Sequence, residues 1–134
     1  MKKTLFIPIL LLVLNSCSPE EEKQATNSGA SFGLDVTNNN SSDYILSGTD
    51  RNGNISGNDP DIVFNVGDTI NFFNNTVLPF YLKTKAGTGI GNTINSVINN
   101  GTTNQTITWT PKATGTFYYQ CSFHLAMAGT ITVQ

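Results

Sequence analysis

From Ser31 to the C-terminus, short apolar stretches alternate with turn residues at regular spacing. That is the pattern of an antiparallel sandwich. Phe32, Leu34 and Val36 share a parity and predict a first strand, and Tyr44 to Ser47 predicts a second. Within Asp61 to Val66, the side chains of Ile62, Phe64 and Val66 face one way; Gly67-Asp68 turns the chain and Thr69 to Phe73 returns. Leu78 to Thr84 reads as a further strand, with Pro79 confined to its beginning or to an edge because it cannot donate to a ladder. Gln105 to Trp109 alternates, with Ile107 and Trp109 on one side, and Pro111 to Gly115 is a turn. Thr116 to Cys121 is an aromatic strand, and a loop then leads into Gly129-Thr-Ile-Thr-Val133. No segment carries a helical period. The expectation is an all-β, Greek-key sandwich of seven or eight strands, its core supplied by Phe32, Phe64, Phe72, Phe80, Trp109, Phe117 and Tyr119.

The first thirty residues break this pattern. Lys2-Lys3 precedes an apolar run from Leu5 to Leu14, too short to span a bilayer as a helix, and residues 1–16 read as an export signal. Leu14-Asn-Ser-Cys17 resembles a bacterial lipoprotein box, which implies that Cys17 is the acylated first residue of the mature chain; an ordinary secretory signal with an incidental cysteine is the alternative. Residues 17–30, with Glu20-Glu-Glu22, are polar and aperiodic and read as a disordered acidic tether. The acidic run resembles the export signal of surface lipoproteins, and it reads equally well as a solvated linker. These segments place the protein in the bacterial cell envelope, held by lipid at the outer membrane or cell surface. Residues 31–134 form the single domain.

Composition narrows the picture further. Only 12% of residues are charged, while 17 are Asn. Without residues 1–16 there are five basic residues against nine acidic ones, and no basic cluster that would serve nucleic acid. If Cys17 is acylated, Cys121 is the only remaining thiol, so no internal disulfide can form. A lone thiol in an oxidising compartment needs burial or a metal.

Cys121, His124 and Met127 sit three residues apart in the last loop. Thiolate, imidazole and a weak thioether suit copper. Cys-x2-His-x2-Met, between an aromatic strand and Gly129 to Val133, resembles the ligand loop of the cupredoxins, the type 1 copper family; the likeness extends through Pro79-Phe-Tyr-Leu-Lys-Thr84. The resemblance implies a copper cofactor held by Cys121, His124 and Met127, one-electron transfer or copper handling, and a redox partner protein docking over an apolar patch of Phe123, Leu125 and Ala126. Those apolar residues equally fit a role in local packing. The resemblance is incomplete: cupredoxins usually carry an upstream histidine in Gly-His-Pro-Phe, where this chain has Leu78-Pro-Phe80, and His124 is its only histidine. The copper site is expected to lack one ligand. A metal-free sandwich serving as a surface binding or structural module is the competing expectation.

Other motifs carry less. Asp50 to Asp61 places oxygen side chains at alternate positions, as a calcium loop does, but Ile55 stands where such a loop requires glycine. Gly87 to Gly91 is Gly-rich with no following helix to hold a phosphate. Cys121 and His124 are too close in sequence for the usual nucleophile–base pair, and no orienting third group is evident, so the chain is expected not to be an enzyme.

Overall fold

The computed structural model describes residues 29–134; the export segment, Cys17 and the tether up to residue 28 lie outside the described residues. Nine strands follow one another: β1 (Ser31–Asn39), β2 (Asp43–Asp50), β3 (Gly53–Asn58), β4 (Ile62–Phe64), β5 (Thr69–Asn74), β6 (Phe80–Lys83), β7 (Thr106–Trp109), β8 (Gly115–Cys121) and β9 (Ala128–Val133). They form a five-stranded sheet, β3-β2-β1-β5-β7, and a four-stranded sheet, β4-β9-β8-β6. Between β3 and β8 the chain changes sheet at every connection, which closes the two layers over one core. Both sheets are mixed: β1 runs parallel to β5 and β4 parallel to β9, and the other pairs are antiparallel.

The alternation read from the sequence has its cause in this layering. Leu34 and Val36 of β1, Tyr44 and Leu46 of β2, Ile70 and Phe72 of β5, and Ile107 and Trp109 of β7 are buried from one sheet. Ile62, Phe64, Phe80, Leu82, Tyr119, Cys121, Ile131 and Val133 meet them from the other. Phe32 and Phe117 sit at the margins, partly buried against this core. Tyr44, absent from the sequence-based core, lies at its centre, with ring centroids 5.0 Å from Phe80 and 6.3 Å from Tyr119.

Two expectations change. The ninth strand is β3, because Gly53 to Asn58 pairs antiparallel with β2 instead of looping around an ion. The acids of that stretch are spent on separate backbone amides: Asp50 accepts from Asn52 and Val63, Asp59 from Tyr44 and Asp61 from Thr130. They do not converge as a calcium loop would. The strand expected at Leu78 begins only at Phe80, because the side chains of Asn74 and Thr76 bind the Leu78 carbonyl at 3.0 Å each and fold the preceding residues into a turn.

The abundance of Asn also acquires a reason. Four of the five non-glycine residues with positive φ are Asn40, Asn92, Asn99 and Asn104, the residue type that tolerates this region best after glycine. Asn100 stands in for a missing strand beside β6, accepting from the Leu82 amide at 2.7 Å and donating to its carbonyl at 3.0 Å. The long connection from Thr84 to Gln105 can therefore lie against an edge strand without orphaning its backbone.

Candidate metal centre

The β8–β9 hairpin carries the site. Its ladder ends at Gln120 opposite Ala128, and the connecting residues are closed by Cys121 N–H donating to the Met127 carbonyl (3.0 Å) and Met127 N–H to the His124 carbonyl (3.2 Å). Cys121 and Met127 are fully buried. Cys121 is unpaired, and its Sγ lies 3.6 Å from His124 Nδ1. Two of the three candidate donors therefore touch side chain to side chain, while Met127 faces Cys121 across the loop's backbone. Among the described residues, no three His, Cys, Asp or Glu side chains gather into a metal-holding group; a thioether is not of that set, and this trio contributes only one thiol and one imidazole.

Beneath the loop lies an aromatic floor. Phe80 pairs with Cys121 across β6–β8 and stacks on Tyr119 at 5.3 Å, with Phe72 at 5.1 Å and Tyr44 at 5.0 Å. The Tyr44 hydroxyl donates to the Pro79 carbonyl at 2.6 Å. Burial pushes its pKa up, and the Cys121 sulfur beside it adds to the rise, so Tyr44 is held as a neutral donor next to the thiol. Leu78 lies two residues before Phe80, hence at this end of the sandwich, and is partly buried against the core.

The outer face of the same sheet supplies residues that the sequence reading passed over. Gln120 and Lys83 point away from the core, yet are 0% and 1% exposed, because the segment from Thr84 to Asn92 folds over them. Gln120 Nε2 reaches the carbonyls of Cys121 (3.0 Å), His124 (2.9 Å), Leu125 (3.4 Å) and Met127 (3.2 Å), and its Oε1 accepts from Gly87 N–H at 3.1 Å. Lys83 Nζ donates to the carbonyls of Gly87 (2.6 Å) and Gly89 (3.1 Å), and burial lowers its pKa. Gly89 N–H in turn donates to the Ser122 carbonyl at 2.8 Å. The only available signal was one polar residue on each of two strands, Gln120 on β8 and Lys83 on β6, which reads as a solvent face.

Around the loop the surface is apolar. Phe123, Leu125, Val77 and Ile90 are each about 70–80% exposed. Phe123 and Leu125 are thus largely exposed, although the Phe123 ring meets His124 edge-on at 6.4 Å.

No protein-family model and no curated protein matches this sequence. Solved structures do match. The copper protein rusticyanin, solved at 2.1 Å, superposes with a TM-score of 0.51 at 18% identity, over 81% of this chain and 80% of that one. The fold is cupredoxin-like. Rusticyanin from Thiobacillus ferrooxidans in a second structure gives 0.49 at 18% identity, over 81% and 79% of the two chains. A Cu(I) amicyanin variant gives 0.41 at 26% identity, over 56% and 70%. The likeness covers the two-layered sandwich described above.

Proposed function

We propose that this domain binds one copper ion through Cys121, His124 and Met127, and passes single electrons, or the ion itself, to a docking partner in the bacterial envelope. The observation that carries the reading is the 3.6 Å separation of the fully buried Cys121 Sγ from His124 Nδ1. At that separation both donor atoms could reach one small ion. The donor types fit copper, and the cupredoxin-like sandwich is a fold that holds copper in rusticyanin.

Copper, when bound, supplies the one-electron couple. The chain's residues do the rest. Cys121 would hold the ion as its thiolate. Two sulfurs and one nitrogen make a soft donor set, and no second imidazole is present to favour Cu(II). The aromatic floor of Phe80, Tyr119, Phe72 and Tyr44 would keep water from the buried side. His124 is half-buried among Phe123 and Leu125, so the outward route from the site opens on an apolar surface suited to a partner. Acylation of Cys17, read from its lipoprotein-like box, would tether the domain to the membrane.

Titration of the soluble domain with Cu(II), and anaerobically with Cu(I) against a chromophoric chelator, tests the reading. The expected result is one tightly held Cu(I) with weak thiolate-to-copper colour on Cu(II) addition. Leu78→His is expected to bring the intense colour of a completed site, and Cys121→Ser to abolish binding. Leu78 also favours a second reading, a metal-free surface module; protein from the native envelope that carries no copper and takes up none would establish it.

A further inference from the structure

We propose that Gln120 is the positioning residue of this centre: one buried amide, clamped by the Gly87–Gly89 backbone and Lys83, fixes the loop from Cys121 to Met127 so that its donors are in place before the ion arrives. The inference rests on the copper reading above and deepens it. Its basis is the outer face of the four-stranded sheet, opposite the face on which Cys121 is buried.

A glutamine amide has two N–H donors and one carbonyl acceptor. Here both ends are used, and neither reaches water. The Nε2 group lies within 3.4 Å of four carbonyls, three of which belong to Cys121, His124 and Met127, the candidate ligands themselves. Carbonyls of a short loop normally splay outward to solvent; here they turn inward onto one donor group. That fixes the backbone of each ligand residue, and with it the direction in which each side chain leaves the loop.

The amide is itself held. Gly87 N–H on Oε1 fixes which way the glutamine points, and Lys83 Nζ grips the carbonyls of Gly87 and Gly89 from below. Gly89 N–H returns to Ser122, so the Gly-rich segment is strapped to the ligand loop at two points. Among the described residues Lys83 has no carboxylate partner; at 1% exposure its ammonium is satisfied by the two carbonyls of this segment, which it thereby holds in place. The Gly-rich stretch therefore belongs to the metal centre as its outer support.

The test compares wild-type protein with Gln120→Met, which keeps the length of the side chain and loses its polar atoms, and with Lys83→Met, which keeps the stem and loses the ammonium. Two quantities are read on folded protein at one pH: Cu(I) affinity by chelator competition, and hydrogen exchange of the Cys121 and Met127 amides in the metal-free state. Gln120→Met is expected to weaken Cu(I) binding by about 10- to 100-fold and to speed exchange of both amides; Lys83→Met should lie near the lower end of that range, about 10-fold. A purely structural role would lower the unfolding midpoint and leave the affinity of the folded fraction unchanged, and that result in either variant overturns the proposal. If Gln120→Met does not fold, Lys83→Met decides alone by the same two readings. Wild-type protein that takes up no Cu(I) overturns the copper function, and the positioning role falls with it.

Discussion

Asp59 shows how a single side chain near the site is set by its surroundings. Burial, with Asp43 nearby, raises its pKa from the ordinary 3.8 to about 6, against the opposing pull of the Tyr44 N–H that it accepts at 3.0 Å. Between these two values the folded chain holds a proton that the unfolded chain has released, so this group makes stability fall as pH climbs from about 4 to about 6. Asn at this position keeps the acceptor for Tyr44 and suits the positive φ of 42°. Asp59→Asn is therefore expected to be at least as stable as the parent at pH 7 and to lose that slope. Melting temperatures of both proteins at half-unit steps across the interval check it; an unchanged slope would place the titration elsewhere.

At the scale of the element, the β8–β9 hairpin is built around one close approach. Tyr119 pairs with Gly129, and a Cβ at Gly129 would lie 2.3 Å from the Tyr119 ring. That ring is fixed on three sides: it stacks on Phe80, packs against Tyr44 and donates through its hydroxyl to the Pro60 carbonyl at 2.7 Å. It cannot swing away without giving up buried contacts. Gly129→Ala is expected to destabilise the fold by about 1–3 kcal/mol, the usual range for overpacking. Because Gly129 lies two residues from Met127, it should also disturb copper uptake. Denaturant midpoints with unchanged slope and a Cu(I) titration would show both effects; a neutral substitution would mean that the ring relaxes.

Over the whole molecule, Asp68 ties distant segments together. It is fully buried; it accepts from the backbone of Ala30 at 2.9 Å and of Asn65 at 2.7 Å, and it pairs with Arg51, whose Nε lies at 2.9 Å. One carboxylate thus joins the entry to β1, the β2–β3 turn and the β4–β5 turn. Arg51 holds its pKa below the ordinary carboxyl value, with the two backbone amides assisting. The sign is opposite to that of Asp59: Asp68 stabilises the fold above about pH 4, and this contribution is lost as acid protonates it. Asp68→Asn is expected to cost about 2 kcal/mol at pH 7, less than for a fully buried pair because the Arg51 side chain is 32% exposed. The loss should shrink below pH 4, which urea unfolding at pH 3 and pH 7 would reveal.

The sequence by itself determined the sandwich, because period-two alternation in segments such as Ile62 to Phe64 and Gln105 to Trp109 forces each strand to bury one face. It also placed Cys121, His124 and Met127 together, since they are near neighbours in the chain and one short loop must carry them all. What it left open depended on partners remote in sequence. The strand Gly53 to Asn58 exists only because β2 offers an edge, and its alternating oxygens by themselves read as a loop. Gln120 and Lys83 occupy positions that alternation assigns to solvent. Only the segment folding back from Thr84 to Asn92 buries them and turns a polar face into the support of the loop. Local pattern reports which face of a strand is apolar. What covers the other face is decided by contacts between segments far apart in the chain.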